Sequence, residues 1–111
     1  MTEHLNALTP EEHERLSLLM EECGEVIQMI GKIMRHGYGS KHPDGKYDNR
    51  RELEAELGDL LCALNMLEQV GEVSVVNINE AFNKKALKVE KYLHHSAGPS
   101  PKLVRYSKLR E

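Results

Sequence analysis

The sequence contains very few aromatic residues. Among its 111 residues there is no Trp, one Phe and four Tyr. Strand-favouring residues are therefore scarce, whereas Leu, Glu, Lys, Met and Ala, which favour helices, are abundant. The shortage weighs against a fold built mainly from strands and predicts an all-α one.

The sequence also has only two cysteines, a small net charge and no long apolar run. Cys23 and Cys62 form no CxxC pair and lie on separate apolar segments, so we predict reduced thiols in the core. The net charge of −3 gives no reason to expect a surface that coats nucleic acid. No run approaches the length that crosses a bilayer, and the N-terminus lacks the basic and apolar regions of a leader. We therefore expect a cytoplasmic protein without nucleic-acid or membrane partners.

The length predicts one domain, residues 1–111, with a core at about 9–95 and a C-terminal arm at 96–111. A chain this short can bury a real core, but not a generous one. Oligomerisation is the expected additional source of stability.

Three segments have helical spacing and recognisable ends. Thr9-Pro10-Glu11-Glu12 predicts an N-cap with a capping box, and Gly37 predicts the end of that helix. A second helix is predicted to begin at the cap Asn49 and to stop at Gly71, and a third to run from about residue 74 to 95. The fold prediction is an antiparallel helical bundle of about three main helices per chain, completed by oligomerisation.

The apolar spacing predicts which side of each helix faces the core. In the first helix, the residues of this stripe are Leu16, Leu19, Met20, Cys23, Val26, Ile27, Ile30, Ile33 and Met34. Residues 37–48 between the first two helices hold three Gly and one Pro and have no periodicity. This loop is long for a bundle connection, and such loops often close over ligands.

Acidic residues lie one turn apart on the flank of each of the first two helices. Glu22 and Glu25 form one i, i+3 pair, and Glu56 and Asp59 form the other, whereas Glu21 points to solvent. If the helices run antiparallel with these flanks facing each other, four carboxylates converge and repel one another unless a hard divalent cation such as Mg²⁺ lies between them. Solvated acidic faces are also common, so the spacing leaves both interpretations open.

The same acids carry a resemblance to a known family. Glu21-Glu22-x-x-Glu25 followed by Glu56-x-x-Asp59 resembles the EExxE…ExxD signature of the MazG-like all-α nucleoside triphosphate pyrophosphohydrolases. The similarity covers about residues 16 to 95. The segments around these acids resemble those of short stand-alone members, including phage-encoded ones. Within the lysine-rich stretch 84–92, the Asn found in many members is missing.

The resemblance implies an activity and a set of site residues. The family cleaves (d)NTPs between the α and β phosphates, giving a nucleoside monophosphate and pyrophosphate. It implies that Mg²⁺, for which Mn²⁺ can substitute, is held by Glu22, Glu25, Glu56 and Asp59, while Glu21 helps to orient a water. It also implies a homodimer or homotetramer whose sites use helices of more than one subunit.

Cations and aromatic residues complete the predicted site. Lys32 lies on the flank of Glu25, Arg35 lies near the loop, and Lys85 flanks the third apolar stripe, so these three are the candidates for binding a triphosphate. Arg35 is also explained as a solvent-facing cation at a helix C-terminus. The general base is predicted to be Glu25 or Glu21. Tyr38 and Tyr47 in the loop are candidates for contacting the base.

Two alternatives stay open at this stage. One is the related phosphoribosyl-ATP pyrophosphohydrolase, with similar helices and acids. The other is a non-catalytic helical module that dimerises and binds a regulator through its acidic flank or its basic tail. The cations of that tail are Lys102, Arg105, Lys108 and Arg110.

Overall fold

A computed structural model describes residues 6–95 and 98–103 of the chain. It contains three helices, α1 at Pro10–His36, α2 at Asn49–Gln69 and α3 at Val75–Tyr92. The described residues form no strand, only an isolated bridge between Lys41 and Asp48, so the all-α prediction is confirmed. Most of the predicted arm and basic tail, including Arg105, Lys108 and Arg110, lies outside the described residues. Two compact units divide the chain, Met1–Glu72 and Val73–Glu111.

The ends of α1 follow from local chemistry. The Thr9 hydroxyl accepts a hydrogen bond from the Glu12 backbone N–H at 3.1 Å, and the Glu12 carboxylate accepts one from the Thr9 N–H at 2.8 Å. This is the predicted capping box, with Pro10 as the first helical residue. At the other end Gly37 has a φ of +88°, a backbone conformation that side-chain-bearing residues rarely adopt. Both predicted ends of α1 are confirmed.

The start of α2 corrects one prediction. The N-cap is Asp48, whose carboxylate accepts a hydrogen bond from the Arg51 backbone N–H at 3.0 Å. Asn49, predicted as the cap, is instead the first helical residue, and its side chain is buried. The prediction was wrong because both residue types cap well, and only tertiary packing distinguishes the outward carboxylate from the inward amide. Gly71, with a φ of +75°, follows the end of the helix at Gln69.

An ion pair joins opposite ends of α1 and α2. The Nε and Nη2 atoms of Arg15 donate to the two carboxylate oxygens of Glu72, at 2.6 and 3.2 Å. Arg15 lies near the start of α1 and Glu72 just after α2, so the two helices run antiparallel. Between them the buried apolar side chains of the described residues are Met29, Ala63 and Leu67. This first unit therefore has a small core.

The predicted core stripe of α1 is largely exposed. Ile27 is 69% exposed, Met34 is 82% exposed, and Leu16, Met20 and Ile30 are also exposed. Met29, which is buried, lies about 100° around the helix from the exposed Ile30 on that stripe. The error arose because α1 has apolar residues on two faces, and periodicity alone does not say which of them a neighbouring helix occupies.

Cys23 and Cys62 are also free and exposed, so the prediction that their thiols are buried in the core is wrong. For Cys23 the reason is the same as for its neighbours on α1, because it lies on the exposed stripe.

The second unit contains α3 and the described part of the arm. The Ser74 hydroxyl caps α3 by accepting from the Asn77 backbone N–H at 3.1 Å, and the helix ends at Tyr92, three residues before the predicted end. The residues predicted to face inward are Val75, Ile78, Phe82, Val89 and Leu93. Ile78, Phe82 and Val89 are half-buried, but Val75 and Leu93 are exposed, and α3 contains no fully buried side chain. None of the described helices combines the length and apolarity that a membrane span requires.

Candidate active site

Three carboxylates from α1 and α2 come together. Glu22 lies on α1, and Glu56 and Asp59 lie one turn apart on α2. One oxygen from each can be chosen so that all three lie within 4.8 Å of one another. Glu22 and Glu56 are half-buried and Asp59 is exposed. The antiparallel pairing of the helices thus turns two separate acidic flanks into one cluster.

Burial and mutual repulsion disfavour charge in this cluster. The pKa of Glu22 is raised above its ordinary value, first by partial removal from water and then by the charges of Asp59 and Glu56. The pKa of Glu56 is raised for the same first reason, and next by the charges of Glu25 and Asp59. A positive charge between these groups would favour their ionised forms.

The donor set fits a hard divalent cation. Mg²⁺ binds oxygen at 2.0–2.1 Å and Ca²⁺ at 2.3–2.6 Å, so two ligands on opposite sides of one ion lie about 4–5 Å apart. The three oxygens lie within 4.8 Å of one another; this bound is within the span of a Ca²⁺ site and wider than the roughly 4.2 Å across Mg²⁺, around which the side chains would close slightly. Three carboxylates leave further coordination positions for water or phosphate oxygens. The half-buried side chains of Glu22 and Glu56 distinguish this cluster from a fully solvated acidic face.

The structure separates the remaining predicted acids into two environments. Glu25 is half-buried and is not one of the three clustered residues, but its charge is the largest effect of a neighbouring charge on the pKa of Glu56. Glu21 is exposed, as predicted. Glu52 also raises the pKa of Glu56. Its position four residues before Glu56 places it on the same flank of α2.

The candidate cations of α1 differ in exposure. Lys32 is half-buried, seven residues after Glu25 and therefore on the same flank. Arg35 is exposed, and its guanidinium folds back along the helix, where Nη1 would lie 3.5 Å from a Cβ added at Gly31. Lys32 is thus the cation of α1 that is partly enclosed near the acidic flank.

Lys85 belongs to the second unit and lies in a shallow cavity. The cavity has a volume of about 560 Å³ and is lined by Ala81, Lys84, Lys85, Lys88 and Tyr92. The Lys85 ammonium lies 6.0 Å from the centroid of the Tyr92 ring, at the limit of a cation–π contact. Sequence reasoning singled out Lys85 but missed its pairing with Tyr92, for which the seven-residue spacing was the available signal.

The loop between α1 and α2 is held by many contacts. The guanidinium carbon of Arg50 lies 4.7 Å from the centroid of the Tyr38 ring, and that of Arg51 lies 4.7 Å from the centroid of Tyr47. Each ring is about half exposed, at 50% and 51%. Both tyrosines are therefore fixed against the first turn of α2, and their contact with a base stays a prediction.

Comparison with known proteins identifies a family. The family model described as the MazG nucleotide pyrophosphohydrolase domain matches residues 11–95, which include the three clustered acids, α2, α3 and all of α1 except Pro10. Neither the comparison with curated proteins nor that with solved structures gives a match. The chain belongs to the MazG nucleotide pyrophosphohydrolase domain family.

Proposed function

We propose that this protein is a Mg²⁺-dependent (d)NTP pyrophosphohydrolase. It cleaves between the α and β phosphates and releases a (d)NMP and pyrophosphate, which controls the nucleotide pool. The observation that carries the proposal is the meeting of Glu22 with Glu56 and Asp59, in a chain whose residues 11–95 match a nucleotide pyrophosphohydrolase family. Residues 1–111 act as one functional domain in this proposal.

Glu22, Glu56 and Asp59 would hold the metal, and Glu25 beside them is the candidate for either a fourth ligand or the general base. Mg²⁺ is the proposed ion because all of these ligands are oxygens, and Mn²⁺ can replace it. When bound, the metal supplies neutralisation of charge on the phosphates and lowers the pKa of a coordinated water. The raised pKa values of Glu22 and Glu56 mean that these residues bind the cation in competition with protons.

A carboxylate outside the metal-binding group is needed to accept the proton of the attacking water. Glu25 suits this role because it lies beside the cluster without belonging to its three closest oxygens. If Glu25 binds metal through both oxygens, the exposed Glu21 orients the water instead. The Glu25→Gln and Glu21→Gln variants distinguish the two, since loss of the base lowers kcat and leaves Mn²⁺ affinity nearly unchanged.

The triphosphate is bound by cations. Lys32 is the first candidate because it is half-buried on the flank of Glu25, and Arg35 is the second. Lys85 is the third, supported by two more lysines in its cavity, Lys84 and Lys88. Changing a phosphate-binding lysine to Met raises KM and leaves Mn²⁺ binding unaffected.

A second copy of the chain covers the exposed apolar residues of α1. These residues, the α1 seam, are Leu16, Met20, Cys23, Ile27, Ile30 and Met34. Their separations alternate between four and three residues, the spacing at which helices pair by interlocking side chains. Gly24 and Gly31 lie one position further along and present no side chain to a neighbouring helix. A seam can pair with itself across a two-fold axis, which gives a homodimer or, with a further interface, a homotetramer.

Pyrophosphate release from a panel of nucleotides tests the proposed reaction. The panel holds the four dNTPs, the four NTPs and phosphoribosyl-ATP, each with Mg²⁺ and with EDTA. We expect Mg²⁺-dependent pyrophosphate and one equivalent of monophosphate from at least one triphosphate. Turnover of phosphoribosyl-ATP alone would assign the related histidine-pathway reaction, orthophosphate alone would indicate another phosphatase, and no turnover at all would favour a non-catalytic module.

A further inference from the structure

Asn49 is the buried polar side chain of the described residues. It is 3% exposed, at the first position of α2. Its Nδ2 donates a hydrogen bond to the carbonyl oxygen of Gly37 at 3.0 Å, and Gly37 is the residue that ends α1. A buried amide without partners costs free energy. The bond therefore stabilises one fixed placement of the start of α2 against the end of α1.

This bond is one of three that hold the start of α2 against the residues after α1. Two backbone bonds run from the Asn49 N–H to the Ser40 carbonyl at 2.8 Å and from the Arg50 N–H to the Tyr38 carbonyl at 3.0 Å. The Asn49 side chain bonds to Gly37, the first residue after α1, so it is the side-chain link that ties α2 to the end of α1.

The placement of α2 along the axis of α1 matters because a metal ion binds its ligands only within a narrow range of distances. Sliding one helix past the other by a single residue moves its side chains by about 1.5 Å. Metal–ligand distances hold to about ±0.2 Å. The oxygen of Glu22 comes from α1 and those of Glu56 and Asp59 come from α2. A slip of α2 would therefore take two ligands away from the third.

Asn49 lies on the side of α2 that carries the cluster. Glu56 follows it by seven residues, which places the two side chains about 20° apart around the helix and about 10.5 Å apart along it. At the other end of the helix pair, Arg15 precedes Glu22 by seven residues and binds Glu72. The two links thus bracket the cluster, and both resist the repulsion between its carboxylates.

We propose that Asn49 is a positioning residue for the metal site: through its bond to the Gly37 carbonyl it sets the axial placement of Glu56 and Asp59 relative to Glu22. The proposal rests on the proposed function, because it assumes that these carboxylates bind a divalent cation. Asn49 itself contacts neither substrate nor metal.

Mn²⁺ affinity, measured by titration calorimetry and by the EPR signal of free Mn²⁺, tests the proposal without turnover. The variants are Asn49→Ala, which removes the bond to Gly37, and the control Asp48→Ala. The control removes the adjacent N-cap, which costs about 1 kcal/mol of stability, and keeps the Asn49 side chain. We expect Asn49→Ala to raise the Kd for Mn²⁺ about tenfold, as the loss of groups that orient ligands does, and Asp48→Ala to leave it within twofold.

The outcomes separate the two proposals. A wild-type protein that binds no Mn²⁺ overturns the proposed metal site and this inference with it. Wild-type binding with an unchanged Kd in Asn49→Ala, or with the same rise in Asp48→Ala, overturns the inference alone, because placement would then be irrelevant or only general stability would matter.

A second variant covers the case in which Asn49→Ala does not fold. Asn49→Leu has nearly the same shape, buries no charge and donates no hydrogen bond to the Gly37 carbonyl. A weaker Mn²⁺ affinity in Asn49→Leu supports the positioning role, and an unchanged affinity contradicts it.

Discussion

The two faces of α1 differ in what they contact. The face toward α2 carries Met29, which is 8% exposed, together with the half-buried Glu22 and Glu25. The α1 seam is more apolar, yet Ile27 and Met34 on it are 69% and 82% exposed. The less apolar face is thus the one used within the chain. The difference teaches that packing between α1 and α2 places the carboxylates, while the more apolar face of α1 stays exposed.

Glu56→Gln gives the largest expected effect, because it removes one carboxylate from the cluster of Glu22, Glu56 and Asp59. A neutral amide keeps the shape of the side chain and loses the charge that binds the metal. We expect at least about a 100-fold fall in kcat/KM with Mg²⁺, since even groups that only orient metal ligands contribute 10–100-fold, and unchanged helicity by circular dichroism. Glu54→Gln, an exposed neighbour on α2, is the matched control and should keep the wild-type rate. Full activity in Glu56→Gln would remove the cluster from the mechanism.

Ile27→Glu tests the other face. Within a single chain an exposed position tolerates a charge at a cost of about 0.5 kcal/mol or less. If a second copy covers the seam, the buried charge costs several kcal/mol at the interface, and the variant should be a monomer by sedimentation equilibrium. Gln28→Glu, next to Ile27 but outside the seam and exposed, should leave the assembly unchanged. A wild-type monomer at all concentrations would show that the seam does not pair with itself.

Thr9→Ala should lower the stability of α1 without changing a side chain on either of its two faces. The variant removes the hydroxyl that accepts from the Glu12 N–H, and N-caps of this type are worth about 1 kcal/mol. In a domain of this size the expected fall in Tm is about 4 °C. Mn²⁺ affinity and assembly should stay as in the wild type; a change in either would show that the start of α1 contributes to one of its faces.

The pH dependence of stability in EDTA is the smallest expected effect, because the carboxylates are only half-buried and solvent screens them. Glu22 and Glu56 have pKa values raised above the ordinary 4.5, so the folded state binds more protons than the unfolded state just above that pH. The contribution of these two groups to the free energy of unfolding therefore falls as pH rises through that window.

Thermal denaturation of metal-free protein between pH 4.5 and 7 measures this contribution. In Glu22→Gln the loss of stability with rising pH should be smaller than in the wild type, and Glu54→Gln should behave like the wild type. A steeper loss in Glu22→Gln would reverse the assigned direction of the pKa shift.

Local features of the sequence predicted the helices well. Thr9, Gly37 and Gly71 act where they were expected to act, because capping and left-handed backbone conformations depend on adjacent residues. The acidic pairs were also found by spacing, because residues one turn apart share a helix flank. Asn49 was misassigned because both it and Asp48 are good caps, and the choice between them depends on which side chain the end of α1 can accept.

By itself the sequence determined three helices, both ends of α1 and two acidic flanks, since each depends on interactions within a few residues. Only the tertiary structure decided that Met29 is buried while the seam is exposed, that Glu22 meets Glu56 and Asp59, and that Asn49 reaches Gly37. The physical reason is that periodicity fixes the directions of side chains around one helix, whereas the rotation and axial placement of two helices depend on contacts between residues far apart in the chain.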